Sequence, residues 1–130
     1  TSVHHAARNG HLDVVKYLVE QKGADVKTAG NNGYTSLQWA ARNGHLDVVK
    51  YLVEQKGADV KTAGNNGYTS LHLAARNGHL DIVKYLVEQN GADVKTADNN
   101  DYEFLLWAAG IGQLDVVKYL VEEKGADVKA

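Results

Sequence analysis

Gly67-Tyr68-Thr69-Ser70-Leu71-His72-Leu73-Ala74-Ala75-Arg76-Asn77-Gly78-His79-Leu80-Asp81-Ile82-Val83 decides how this chain folds. The stretch reads as a helix, a glycine stop and the start of a second helix, and its near-copy one unit earlier shows why. There Thr35 or Ser36 can cap the first helix, because a side-chain oxygen satisfies free backbone N–H groups. Leu37, Ala40 and Ala41 then fall on one face at helical spacing. Gly44 ends the helix in the left-handed conformation that costs glycine little. A second helix begins near Leu46, with Leu46, Val49, Leu52 and Val53 as its buried stripe and Asp47, Lys50 and Glu54 on its wet face. Asp47 sits in the first turn, where the helix dipole favours negative charge. Beyond Gly57 come Ala58-Asp59-Val60 and then Asn66-Gly67, a tight-turn signal, so this segment should project as a hairpin-like finger.

The pattern recurs along the whole chain. Leu12, Leu46, Leu80 and Leu114 follow at a spacing of 34, as do Ala6, Ala40, Ala74 and Ala108, and Gly23, Gly57, Gly91 and Gly125. Residues 1–130 therefore form a single domain of four units, about 1–29, 30–63, 64–97 and 98–130, the first lacking its opening turn. Units of this length cannot bury an apolar face alone and must stack. The expected architecture is all-α, with eight helices in four antiparallel pairs and fingers near 24–34, 58–68 and 92–102. Alanine at the first-helix contacts permits close approach, whereas Leu and Val hold the second helices apart. The stack should therefore curve, with the first helices inside.

The quoted stretch, closed by Gly91-Ala92-Asp93-Val94, resembles the ankyrin repeat signature, and the resemblance covers essentially the whole chain. It implies an ankyrin solenoid of helix-turn-helix units joined by fingers, working as a non-catalytic protein-binding scaffold. Tetratricopeptide repeats share a similar period but carry no Gly-Ala-Asp-Val turn. The chain departs from the family in two places. Its period exceeds the usual 33 by one residue, at Gln55-Lys56. Ser36 and Ser70 also stand where a proline usually follows the capping threonine, which removes a pre-set φ and some stability.

Units two and three are nearly identical even where ankyrin families vary: Asn31, Asn32, Tyr34, Arg42 and Asn43 recur as Asn65, Asn66, Tyr68, Arg76 and Asn77. This points to recent duplication or to an artificial, consensus- or library-derived scaffold, and the second fits better. The fourth unit breaks the pattern, with Asp101, Glu103, Phe104 and Leu106 against Gly67, Thr69, Ser70 and His72. Trp107 replaces Leu73, and Gly110-Ile111 replaces Arg76-Asn77. A change that merely fitted an end unit to solvent should raise polarity; these lower it, which favours a role in binding.

Little else in the chain suggests chemistry. No cysteine is present, which excludes disulfides, thiolate metal sites and cysteine nucleophiles. Its absence fits a reducing compartment, so a cytoplasmic or nuclear location is expected; the numbered chain shows no secretion signal. Methionine is absent too, so the numbered chain is expected to be trimmed. The longest weakly polar run, Phe104 to Gly112, is far short of the roughly 20 residues a membrane span needs. His11, His45 and His79 form a ladder, but packed helices lie about 8–10 Å apart, too far for consecutive rungs to share a zinc ion. They resemble the structural histidine between the two helices of an ankyrin unit, bonding backbone across the turn. His4-His5 are adjacent and diverge on a helix. Asp98-Asn99-Asn100-Asp101 lacks the sixth-position glycine and twelfth-position Glu of a calcium loop. Neither a nucleophile elbow nor a phosphate-binding loop is present. No metal, cofactor or catalytic residue is expected.

A protein partner is. Arg8, Arg42 and Arg76 line the inner face with no acidic residue in those first helices. Three basic residues and a formal charge of −2 are too little for nucleic acid, and a protein with an acidic patch fits better. Tyr34, Tyr68 and Tyr102 follow the finger tips, where tyrosine offers broad contact at low rotamer cost; bracing the fingers by stacking is the equal alternative. Tyr17, Tyr51, Tyr85 and Tyr119 belong to the second helices and should pack or snorkel; Trp39 and Trp107 read as packing residues. The expected binding residues are Tyr34, Arg42, Tyr68, Arg76, Tyr102, Phe104 and Ile111, centred on the fourth unit. The alternative is a structural or self-associating scaffold with no dedicated partner. It draws on the unaltered stripe Leu114, Val117, Leu120 and Val121, which would leave an open end for head-to-tail contact between copies.

Overall fold

A computed structural model describes residues 2–30, 33–60, 62, 64–65, 67–89 and 113–123. Helices α1 (Ser2–Arg8) and α2 (Leu12–Glu20) form the first pair, and α3 (Ser36–Asn43) and α4 (Leu46–Lys50) the second, with α4 running into a π turn at Tyr51–Gln55. The third pair is α5 (Ser70–Arg76) and α6 (Leu80–Gln89); α7 (Leu114–Lys118) continues into a π turn at Tyr119–Glu123. No strand occurs among the described residues. The fourth unit's first helix and the finger near 92–102 lie outside them.

The start and stop signals act as the chemistry requires. Thr69 caps α5: its hydroxyl accepts the His72 N–H, and its own N–H donates to His72 Nδ1 at 3.1 Å. At the equivalent place the Thr35 N–H donates to Gln38 Oε1 at 2.7 Å. Thr35 and Thr69, rather than the following serines, are therefore the caps, and Ser36 and Ser70 are the first helical residues. Gly44 ends α3 at φ +84°, and a Cβ there would sit 2.7 Å from a ring carbon of His79. Glycine at this position thus serves both the left-handed turn and the approach of the next unit. In the fingers, Gly30 N–H donates to Tyr34 O and Gly33 N–H to Gly30 O, at 3.0 and 2.9 Å; Gly64, Tyr68 and Gly67 repeat the arrangement.

The added residue of the 34-residue period is absorbed at the end of the second helix. Ala24 N–H donates to Leu18 O and Ala58 N–H to Leu52 O, both at 2.9 Å. Each bond closes a loop one residue wider than the usual glycine-terminated helix end. In α4 and α7 that width extends back into the helix as the π turn, the form a single inserted residue takes.

Stacking sets the core. α1, α3 and α5 lie against one another through Ala6, Ala7, Ala40, Ala41, Ala74 and Ala75, all buried, and approach more closely than α2, α4, α6 and α7 do. The second helices bury a wider surface than one amphipathic stripe. Val48 and Tyr51 are buried alongside Val49 and Leu52, whereas Leu46 and Val53 are only partly so. The inner second helices are covered by units on both sides, which enlarges their apolar arc. The first unit shows the cause: Val14 and Tyr17, the counterparts of Val48 and Tyr51, are 43% and 52% exposed. The last stripe is not uniformly open, since Leu120 is buried while Leu114 is 64% exposed.

Candidate functional site

Two ladders of side chains register each unit on its neighbour and so hold the inner face in place. His45 Nε2 donates to Arg8 O and His79 Nε2 to Arg42 O, both at 2.9 Å, and Gln113 takes the next rung on Arg76 O at 3.4 Å. A carbonyl only accepts, so Nε2 carries the proton in both histidines. The bonds run to the preceding unit, not across the turn of the same unit as the resemblance implied. Asn43 Nδ2 adds a second donor to Arg8 O at 2.8 Å. The other ladder stands at the third helical position. His4 Nε2 donates to Thr28 O at 2.8 Å, and Gln38 Nε2 to Thr62 O and Tyr68 O at 2.9 and 3.1 Å. His4, Gln38 and His72 are buried, and each has both a donor and an acceptor to spend on cap and finger. Among the described residues no group of three potential metal ligands is assembled.

Held this way, α3 and α5 flank a cleft of about 330 Å³ lined by Tyr34, Trp39, Arg42, Tyr68, Leu73, Arg76 and Asn77. Trp39, half-buried, is its centre. The guanidinium carbons of Arg8 and Arg42 lie 5.3 and 5.5 Å from the Trp39 ring centre, and Tyr34 meets the same ring edge-on at 5.3 Å and 77°. Arg76 repeats the motif on Tyr68, 5.5 Å from the ring centre, and also donates to the Tyr68 hydroxyl at 3.2 Å. Such cation–π contacts are each worth about 0.5–1 kcal/mol when exposed, enough to bias the orientation of a long side chain. No carboxylate lies within ion-pair reach of Arg8, Arg42 or Arg76 among the described residues.

Four of the expected binding residues therefore come together: Tyr34, Arg42, Tyr68 and Arg76. Their exposure differs. Arg42 and Arg76 are exposed, while Tyr34 and Tyr68 are only 7% and 8% exposed and pack with Leu73 and Trp39. Those two tyrosines brace the fingers and form the floor of the cleft. Tyr102, Phe104 and Ile111 lie outside the described residues. Trp39, read from sequence as packing, does pack against Tyr34, Tyr68 and Leu73, and its ring also carries two arginines; the signal available for the second role was its place three residues before Arg42, on one helical face. Gln38 was missed too, although the 34-residue spacing of His4, Gln38 and His72 marks it.

The second-helix tyrosines make a separate seam between units. Lys16 stands over Tyr51, Lys50 over Tyr85 and Lys84 over Tyr119, at 5.4–5.7 Å. Tyr85 Oη donates to Glu54 at 2.7 Å. Burial, with the Glu20 carboxylate beside it, pushes the Tyr51 hydroxyl above its ordinary pKa. As expected, Tyr51, Tyr85 and Tyr119 pack, whereas Tyr17 is exposed.

Comparison with known proteins adds one positive finding. A family model described as ankyrin repeats (3 copies) matches residues 1–64 and 56–130, which together span the chain. No curated protein matches it. No helix among the described residues is long and apolar enough to cross a membrane.

Proposed function

The chain belongs to the ankyrin repeat family, whose repeats generally serve as protein-interaction scaffolds, and on that premise we propose that it binds a protein partner through its first-helix face and fingers, without catalysis. One observation supports this reading above the others. Arg8, Arg42 and Arg76 are arrayed on Trp39 and Tyr68 beside an open cleft, without carboxylate partners among the described residues. A purely structural ridge would need no such array. Arginine and tryptophan also dominate interface hot spots. In sequence register Tyr102, Phe104 and Ile111 are the counterparts of Tyr68, Ser70 and Asn77. The test is affinity capture with wild-type chain and a Trp39→Leu/Arg42→Gln variant of equal thermal stability as matched baits. A partner held by the wild type and lost by the variant is expected; equal capture by both baits contradicts the reading.

Self-association is the second reading, and exposed Tyr17 is the observation that favours it. Exposed Lys118 and Glu122 repeat Lys50 and Glu54, the pair that receives Tyr85. A Tyr17 from a second copy would meet the same pair. Sedimentation equilibrium decides: a mass that rises with concentration and falls to monomer in Tyr17→Ser supports end-to-end contact.

A further inference from the structure

We propose that the cleft takes an acidic peptide in the polyproline II conformation, with a carboxylate at every third residue. This rests on the protein-binding reading above and specifies its partner. Charge selects an acidic ligand. A guanidinium has five N–H donors and grips a carboxylate with two parallel bonds. Arg8 and Arg42 lie over Trp39 and Arg76 over Tyr68; Arg42 spends one donor on Asn43 Oδ1 at 3.4 Å and Arg76 one on the Tyr68 hydroxyl at 3.2 Å, which leaves the others for a ligand. No acid on α1, α3 or α5 competes for them.

Spacing selects the conformation. Two guanidinium carbons 5.3 and 5.5 Å from one ring centre are at most about 11 Å apart, and the step between units is set by the roughly 8–10 Å that separates packed helices. Arg76 continues the series at the same residue interval. A ligand that follows it must return its charged face about every 10 Å. Three residues of polyproline II span about 9 Å and complete one turn, so positions i, i+3 and i+6 share a face. A β-strand shows one face every second residue, about 6.6 Å, and falls out of step. A helix comes back into step only at the seventh residue.

Titration calorimetry on the full chain tests this, with four peptides and an oligonucleotide. The first peptide is three Glu-Pro-Pro triplets; the second has Gln for Glu; the third has the same composition with its glutamates contiguous; the fourth is helical with Glu at every seventh position. A single-stranded oligothymidine completes the set. The triplet peptide should bind, weaken about tenfold or more in the Gln version and on raising salt from 50 to 500 mM, and weaken several-fold when the glutamates are contiguous. Arg42→Gln, at an exposed position, should lower its affinity about tenfold with the chain still folded and its melting temperature down by no more than a few degrees, roughly the loss of one cation–π contact. Equal binding of the Gln or contiguous peptide, tighter binding of the helical peptide, equal binding of the oligonucleotide, or no heat from the triplet peptide each overturns the proposal. Where Arg42→Gln still weakens whichever peptide binds best, the protein-binding reading of this face survives that failure. A peptide that binds unaffected by Arg42→Gln sits elsewhere, and both fail.

Discussion

His45 bonds to the carbonyl oxygen of Arg8, 2.9 Å away in the preceding unit. One side chain thereby closes the end of one first helix and fixes the step to the next. The same relationship links His79 to Arg42, where the histidine ring also packs on Gly44. Gly44→Ala should cost more than a left-handed alanine alone, about 1–2 kcal/mol, because its Cβ would meet the His79 ring at 2.7 Å. Gly57→Ala, at φ +64° with open space around it, should cost only the conformational part. In a His79→Ala background the gap between the two should shrink; urea titrations of the four variants measure it, and an unchanged gap places the strain elsewhere.

Ser36 and Ser70 stand at the first helical position, where proline's fixed φ is favourable and no N–H is needed. Ser70→Pro should stabilise by about 0.5–1 kcal/mol. Ser36→Pro should stabilise more, because the Ser36 hydroxyl is buried without a hydrogen-bond partner while that of Ser70 reaches Val60 O at 3.4 Å. Thermal unfolding of the two variants ranks them, and the reverse order contradicts this account.

Alkaline stability should fall above pH 10. Tyr51 keeps its proton to higher pH in the folded chain than in the unfolded one, because burial and then Glu20 disfavour the phenolate. The folded state therefore holds more protons between the two pKa values, and stability declines as pH rises through that window. Below it the contribution is fully present. In Tyr51→Phe the decline between pH 10 and 12 should be shallower, as read by denaturant midpoints; an identical slope removes Tyr51 as a cause.

Within the fourth unit the expected hot spot should divide. Phe104 shares its register with Ser36 and Ser70, both buried, and Ile111 with Asn77, which is exposed and lines the cleft. Phe104→Ala should destabilise by roughly 3 kcal/mol, as for a buried aromatic, and leave affinity per folded molecule nearly intact. Ile111→Asn should leave the melting temperature unchanged and weaken partner binding by at least about 1 kcal/mol. Melting curves and calorimetry on the same samples separate the two.

The sequence was legible where a property belongs to one unit and opaque where it belongs to two. Gly44 and the Ala40-Ala41 pair announce stop and close packing through local chemistry and stand as read; of the two caps the sequence offered, Thr35 and Ser36, the structure uses Thr35. Val48 and Tyr51 fall outside the apolar stripe of a single helix and are buried because a neighbour covers them. His45 and His79 have the spacing of a structural ladder, but spacing does not say that their acceptors lie one unit back. Trp39 has the look of core; only the stacked arrangement brings Arg8 from the preceding helix onto its ring.

The most direct test of the central claim is a chemical-shift map of the isotope-labelled chain with the captured partner added. The account predicts that the Trp39 indole N–H and the Arg8, Arg42 and Arg76 guanidinium resonances move most, with the second-helix lysines Lys16, Lys50 and Lys84 still. Shifts concentrated on those lysines, with the Trp39 indole unmoved, would contradict it.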